Sequence, residues 1–332
     1  MSSDAIPRQP FDARPLQLLA AIALAAGLLV SSFPTWATLT LSGLAMGLII
    51  FVIASGLTLV FGLMDVLNFG HGVFVALGGF IAATVLGVQG AVGDLSLGAS
   101  LLAVGLAAGA GMAVAGVVGL AFERMLVRPV YGMHLKQILI TMGGMIIGEE
   151  MIKMIWGPGM IALPLPQGLR GALPLPGDVV LDKFRALAAL VGLTVFAALL
   201  LVLNRTKLGV LIRAGVQDRE MVECLGYRIR RLFIGVFAAG SALAGLGGAM
   251  WSLYQQSVTP QMGAQVNTLI FIVIIIGGLG STLGCFVGAL AVGLLANYMG
   301  FLAPKAALFS NIALMVAVLL WRPQGLYPVG GK

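Results

Sequence analysis

Charge is scarce in this 332-residue chain: Asp, Glu, Lys and Arg together make up 9% of it, against about 25% in soluble domains. Histidine occurs only as His71 and His134, and cysteine only as Cys224 and Cys285. Two cysteines so far apart build no disulfide framework, and lone histidines without further ligands nearby give no metal site. No GxxxxGK[ST] phosphate loop, CxxC pair, HExxH or GxSxG stretch is present, so the chain has no motif for holding ATP or running hydrolytic chemistry. What is abundant is apolar. Hydrophobic residues make up 60% of the chain, and its mean hydropathy is +1.07. That composition describes an integral membrane protein, all-α in class, a polytopic bundle of transmembrane helices. The net charge of +7 does not imply nucleic acid, because the basic residues flank apolar spans, where they set orientation and meet lipid headgroups.

A helix needs about 20 mainly apolar residues to cross the ~30 Å hydrocarbon core. Candidate spans are 16–33, 38–64, 72–88, 98–122, 136–156, 184–203, 232–253, 265–277, 284–301 and 306–321. Three of them, 72–88, 265–277 and 284–301, are short and glycine-rich and read as re-entrant or broken, so about eight to ten crossings are expected. Between the spans lies one polar, basic stretch, 204–231, with Arg205, Lys207, Arg213, Arg219, Arg228, Arg230 and Arg231. If it faces the cytoplasm and the sides alternate, fourteen of the nineteen Lys and Arg fall inside, as the positive-inside rule requires. Both termini, 1–15 and 322–332, are then cytoplasmic tails around a membrane domain over 16–321, and 157–183 is an outer loop. The Pro and Gly in that loop prevent a long helix, and Val179, Val180 and Leu181 suit a short strand. The first apolar segment follows Arg8 and Arg14 as in a secretory signal, but no clear cleavage site follows it.

Three motifs carry the functional reading. Residues 56–72, GLTLVFGLMDVLNFGHG, place Asp65, Asn68 and His71 among Gly62, Gly70 and Gly72 at the end of an apolar span. Polar groups at such a position usually face a cavity or partner, and a broken helix exposes backbone dipoles to a solute. The bland alternative is that Asp65 ends a helix and His71 bonds a neighbouring carbonyl. Residues 277–284, GGLGSTLG, form a second break with Gly277, Gly278, Gly280 and Gly284, after an apolar run preceded by Asn267 and Thr268. Asn267 and Thr268 are further solute-contact candidates near the outer side. Gly284/Gly288, Gly43/Gly47 and Gly105/Gly109 have the spacing of close helix contacts. The weak likeness of the two broken segments suggests an internal duplication. The third motif is helical over 216–226. Met221, Val222 and Leu225 share one face, Arg219, Glu220 and Glu223 the other, and Gly226 supplies the stop. Its mixed charge favours docking to a protein over lying on lipid.

These segments resemble, in order and over about 38–328, the integral-membrane permeases of high-affinity branched-chain amino acid ABC transporters. The matching stretches are 56–72, FERMLVRPV (122–130), ILITMGGMI (138–146), RAGVQDREMVECLG (213–226), GGLGSTLGCFVGAL (277–290) and RPQGLYP (322–328). The resemblance implies one half of a solute pathway in a bacterial inner membrane. A second homologous permease supplies the other half. Two cytoplasmic ATP-binding subunits use the ATP, and an extracytoplasmic solute-binding protein delivers the cargo. The chain itself then binds no cofactor, and Ala214, Asp218, Glu220 and Gly226 belong to the coupling segment. Two departures stand out: the family often has Ala at the position of Gly70, and a more neutral segment at Glu149 and Glu150. Relatives of this architecture move urea or short amides, so those solutes are an alternative cargo. A secondary transporter relaying protons through His71, Glu149, Glu150 and Lys153 and a passive channel are rival classes. An intramembrane enzyme lacks a nucleophile or metal ligands beside His71.

Overall fold

The computed structural model describes residues 14–88, 96–217 and 219–328. Asp218 lies outside them, as do the first thirteen and last four residues. Helices follow one another as α1 (Arg14–Leu29), α2 (Phe33–Met64), α3 (His71–Val88), α4 (Leu97–Phe122), α5 (His134–Trp156), α6 (Lys183–Arg205), α7 (Lys207–Gln217), α8 (Arg219–Cys224), α9 (Ile229–Gln255), α10 (Met262–Gly277), α11 (Thr282–Leu302) and α12 (Ala307–Trp321). Each apolar stretch of the sequence lies in one of these helices. The protein is an all-α polytopic bundle. Among the described residues, five helical segments are long and apolar enough to cross a membrane, and α1, α3, α10 and α12 are shorter apolar helices.

Burial sorts the bundle into centre and rim. α2 is apolar on every side, the pattern of a helix enclosed by others, and 83% of its most apolar window is buried against 17% for α6. α9, α11 and α6 pack against α2, α3 and α4 pack on α9 and on each other, and glycines set how closely the helices approach. Gly56 of α2 meets Gly240 of α9, where an added Cβ would stand 2.6 Å from the Gly56 oxygen. Gly43 and Gly47 receive α11 at Gly293, and Gly78 of α3 receives Gly245 of α9. With lipid tails as apolar as leucine, such close backbone packing is a main source of helix association. The Gly105/Gly109 pair differs from the expectation: neither has a neighbour within 4 Å. Both are on the outer face of α4, while its Ala107, Ala108 and Gly111 turn inward.

The loop over 157–183 forms a small β cap. β2 (Ala172–Leu175) and β3 (Val179–Asp182) pair as an antiparallel hairpin with Leu175 opposite Val179. Its turn carries positive φ at Gly177 and Asp178. β1 (Ile161–Ala162) pairs with β4 (Ser257–Val258), tying the cap to the segment before α10.

Candidate functional site

The site is built on the break between α2 and α3. α2 has 32 residues, about 48 Å at 1.5 Å per residue, well beyond the ~30 Å hydrocarbon core. It stops at Asp65, which adopts a left-handed conformation (φ 52) while its N–H bonds the Phe61 carbonyl at 2.9 Å. The Asp65 side chain is exposed, 3.8 Å from His134 Nε2. The chain then turns back along α2 without helical structure over 65–68. When α3 begins, His71 Nε2 is already 3.1 Å from the carbonyl oxygen of Ile53. Ile53 is about three turns before the end of α2, ~16 Å along its axis. Helix α3 therefore starts well inside the bundle, with its N-terminal dipole end buried.

Two other helices hold this turn. Phe69 N–H donates to Thr141 Oγ1 of α5 at 3.2 Å, and Phe69 C=O accepts from Asn267 Nδ2 of α10 at 2.9 Å. The Phe69 ring packs on Phe271 at 4.6 Å. Gly72 abuts Gly263 of α10, and an added Cβ at Gly70 would stand 2.7 Å from Phe122 Cζ and 2.9 Å from the Thr141 oxygen. The sequence places Gly70 where the family often has Ala; here Phe122 occupies that space.

Asn68 and His71 are fully buried, and Asn267 is 7% exposed. Asn68 Oδ1 accepts from Gly70 N–H at 3.0 Å, but its Nδ2 has no partner among the described residues, nor do His71 Nδ1 and Asn267 Oδ1. A carbonyl can only accept, so His71 Nε2 carries the proton and the neutral ring presents Nδ1 as a bare acceptor. One donor and two acceptors thus remain around the break. Each such buried group costs about 1–3 kcal/mol, and groups of this kind line polar pathways more often than cores. Thr268 is exposed on α10, away from this cluster. Glu149 and Glu150 pair with Lys153 on their own helix at 2.9 and 2.8 Å. Among the described residues, no hydrogen bond or ion pair links them to His71.

The second break, 278–281, is closed by the chain's own tail. Gly278 and Gly280 have positive φ, Ser281 Oγ caps α11 through Gly284 N–H at 3.0 Å, and Gly277 lies against Gly284. Leu326 and Tyr327 N–H satisfy the Ile276 and Gly277 carbonyls at the end of α10. Gly280 also touches Gly62 of α2, so the two breaks are neighbours.

The basic segment is helical over Lys207–Gln217 (α7) and Arg219–Cys224 (α8). Val222 is buried with Ile229 and Phe233 against Met64, Leu211 and Ala214. Met64 is the last residue of α2, immediately before the break. Met221 and Leu225, which share the apolar face of Val222 in the sequence pattern, are 56% and 69% exposed. Glu223 is exposed. Gly226 (φ 85) ends α8 in a Schellman arrangement, its own N–H bonding the Glu223 carbonyl and Tyr227 N–H the Val222 carbonyl. Glu220 lies in α8.

Two elements of the site had no assigned role in the sequence reading. Thr141 is the polar residue in ILITMGGMI, followed by Gly143 and Gly144, and that interruption of an apolar run is its signal. Glu123 opens a π-helical turn, Glu123–Val127, a form that recurs at functional positions. Glu123 is buried, and its Oε1 accepts from Tyr131 O–H at 2.5 Å.

A family model described as branched-chain amino acid transport system, permease component, matches residues 39–320. The chain belongs to that family. It is 27% identical over 292 residues to the high-affinity branched-chain amino acid transport system permease protein BraD of Pseudomonas aeruginosa, covering 86% of this chain and 93% of the relative. The LivH permease protein of the same kind of system in Escherichia coli is 25% identical over the same shares. The E. coli LivM permease protein is 27% identical over 155 residues, 46% of this chain and 36% of the relative. No solved structure matches the chain. The break over 65–70, Thr141, Asn267 and the α7–α8 pair all fall inside the matched region. As a family member with several apolar helices, the chain is a multi-pass membrane protein.

Proposed function

We propose that this chain is one permease of a binding-protein-dependent ABC importer and forms half of the pathway for branched-chain amino acids. Its partners are a second, homologous permease, two cytoplasmic ATP-binding subunits and an extracytoplasmic solute-binding protein. The chain itself binds no nucleotide; the ATP-binding subunits use the ATP. The setting is the bacterial inner membrane, with α7, α8 and both termini cytoplasmic, as the basic residues at that end favour. That differently named permeases of one E. coli system, LivH and LivM, both resemble this chain supports a pair of unlike permeases.

One observation carries the coupling. Val222 of α8 and Leu211 and Ala214 of α7 share one apolar cluster with Met64 of α2 and with Ile229 and Phe233, and the residue after Met64 begins the break that leads to Asn68 and His71. A push or pull on α8 by an ATP-binding subunit acts on the end of α2 and so on the turn that α5 and α10 hold. ATP binding and hydrolysis then favour different arrangements of that turn, which switches the side to which the pathway opens. The exposed Met221, Glu223 and Leu225 present α8 to its partner, with Glu220 a further coupling residue of the same helix, and the unpartnered atoms of Asn68, His71 and Asn267 meet the polar end of the solute.

The test is ATP hydrolysis by the co-expressed complex in liposomes, with binding protein loaded with one solute at a time. Stimulation by leucine, isoleucine or valine supports the reading. Stimulation only by urea or short amides keeps the mechanism and replaces the cargo. Solute movement by this chain alone, without an ATPase, overturns the reading in favour of a channel or secondary transporter.

A further inference from the structure

A groove of about 850 Å³ runs between α6 and α9, with α2 as its floor. Its walls are almost wholly apolar, represented by Leu199 and Val202 of α6 and Val236 and Leu243 of α9. Along α9 the lining extends from Ile229 to Leu246, ~25 Å at 1.5 Å per residue. One leaflet of a bilayer with its headgroups is about 20–22 Å, half of the full thickness. The groove therefore has the length of one lipid.

Its two ends differ in chemistry. The end beside α8 is lined by Arg228 and Arg231, which also line an adjoining depression of about 460 Å³ with Arg124, Arg128 and Arg230. Among the described residues, Glu223 is the one carboxylate lining that depression. Among the described residues no carboxylate stands within ion-pair distance of Arg228 or Arg231. An apolar slot between membrane helices takes its contents from the hydrocarbon phase, since water gains no partners there. Guanidinium groups bind phosphate oxygens in bidentate pairs, and basic pockets at helix ends select anionic headgroups.

We infer that the α6–α9 groove is a binding site for one anionic phospholipid, with acyl chains along α6 and α9 and its headgroup phosphate on Arg228 and Arg231. The occupant is a lipid rather than a protein segment because a partner helix would match the apolar wall but not five arginines at its end. The site lies under α8, so a bound lipid braces the segment that packs on Met64.

The test uses the purified complex, stripped of lipid in detergent and titrated with phosphatidylglycerol or phosphatidylcholine, with retained lipid read by native mass spectrometry. Wild type is expected to hold phosphatidylglycerol more tightly than phosphatidylcholine. Arg228→Gln with Arg231→Gln, both exposed, should erase that preference by about tenfold or more. Gly235→Phe should block the slot itself and remove both lipids, because Gly235 lines the groove and an added Cβ there meets nothing within 4 Å. A photo-crosslinker at Val236 in native membranes should label lipid. Equal retention of the two lipids by wild type, unchanged retention in the arginine variant, or crosslinking of Val236 to another subunit would each overturn the inference.

Discussion

His71 Nε2 donates to the carbonyl oxygen of Ile53, eighteen residues earlier, at 3.1 Å. That oxygen sits within α2, so the contact pins the start of α3 to the middle of the preceding helix. His71→Ala should lower uptake by about tenfold while the complex still assembles. Glutamine, which keeps a donor, should restore part of it. Uptake by proteoliposomes, set against the yield of intact complex, separates the outcomes. Equal loss of both would mean His71 only packs.

Thr141 gives the turn its hold on α5. Thr141→Val keeps the shape and removes the acceptor for Phe69 N–H, which should destabilise the folded chain by about 1–3 kcal/mol. Thr141→Ser should be close to wild type. Thermal unfolding in detergent, followed by loss of monodisperse protein, reads the difference.

Gly70 and Phe122 compete for one volume. Gly70→Ala should be destabilising by about 1–3 kcal/mol, and Phe122→Leu should recover only part of that in the double variant, because the Thr141 carbonyl oxygen also stands 2.9 Å from an added Cβ. A double-mutant cycle on thermal stability checks the pair. Additive effects would show that Phe122 is not the obstacle.

Gly226 holds a left-handed conformation that a β-branched residue resists. Gly226→Val should loosen the end of α8 by about 1–2 kcal/mol and lower solute moved per ATP hydrolysed, while Gly226→Asn should do less. Unchanged stoichiometry in the valine variant would remove α8 from the coupling path.

Gly56 and Gly105 separate packing inside the chain from packing outside it. Gly56→Ala drives a methyl into the Gly240 backbone and should cost about 3 kcal/mol or more, seen as loss of membrane-inserted protein. Gly105→Ala meets nothing within 4 Å and should leave the isolated chain intact. If it nonetheless splits the complex, the outer face of α4 carries a subunit contact.

Local chemistry was legible in the sequence. Apolar stretches separated by polar ones marked the helices. Asp65, Asn68 and His71 marked the break before α3, and Gly226 marked the end of α8. Each depends on residues within a turn or two: hydropathy along one span, or the φ that one residue tolerates. Val179, Val180 and Leu181 marked the strand that becomes β3.

Only the tertiary structure decided which groups meet. Nothing local says that Phe69 is shared between Thr141 and Asn267, that His71 returns to Ile53, or that Gly70 lies against Phe122. The glycine spacing of 105 and 109 equals that of 43 and 47, yet only the second pair receives a helix, because spacing describes one surface and contact requires two. Val222, Met221 and Leu225 are equally apolar in sequence. Val222 alone is buried, because Met64 and Phe233 stand on its side of α8. Composition and period are properties of a segment, whereas a site in a membrane bundle is a property of which segments the packing brings side by side.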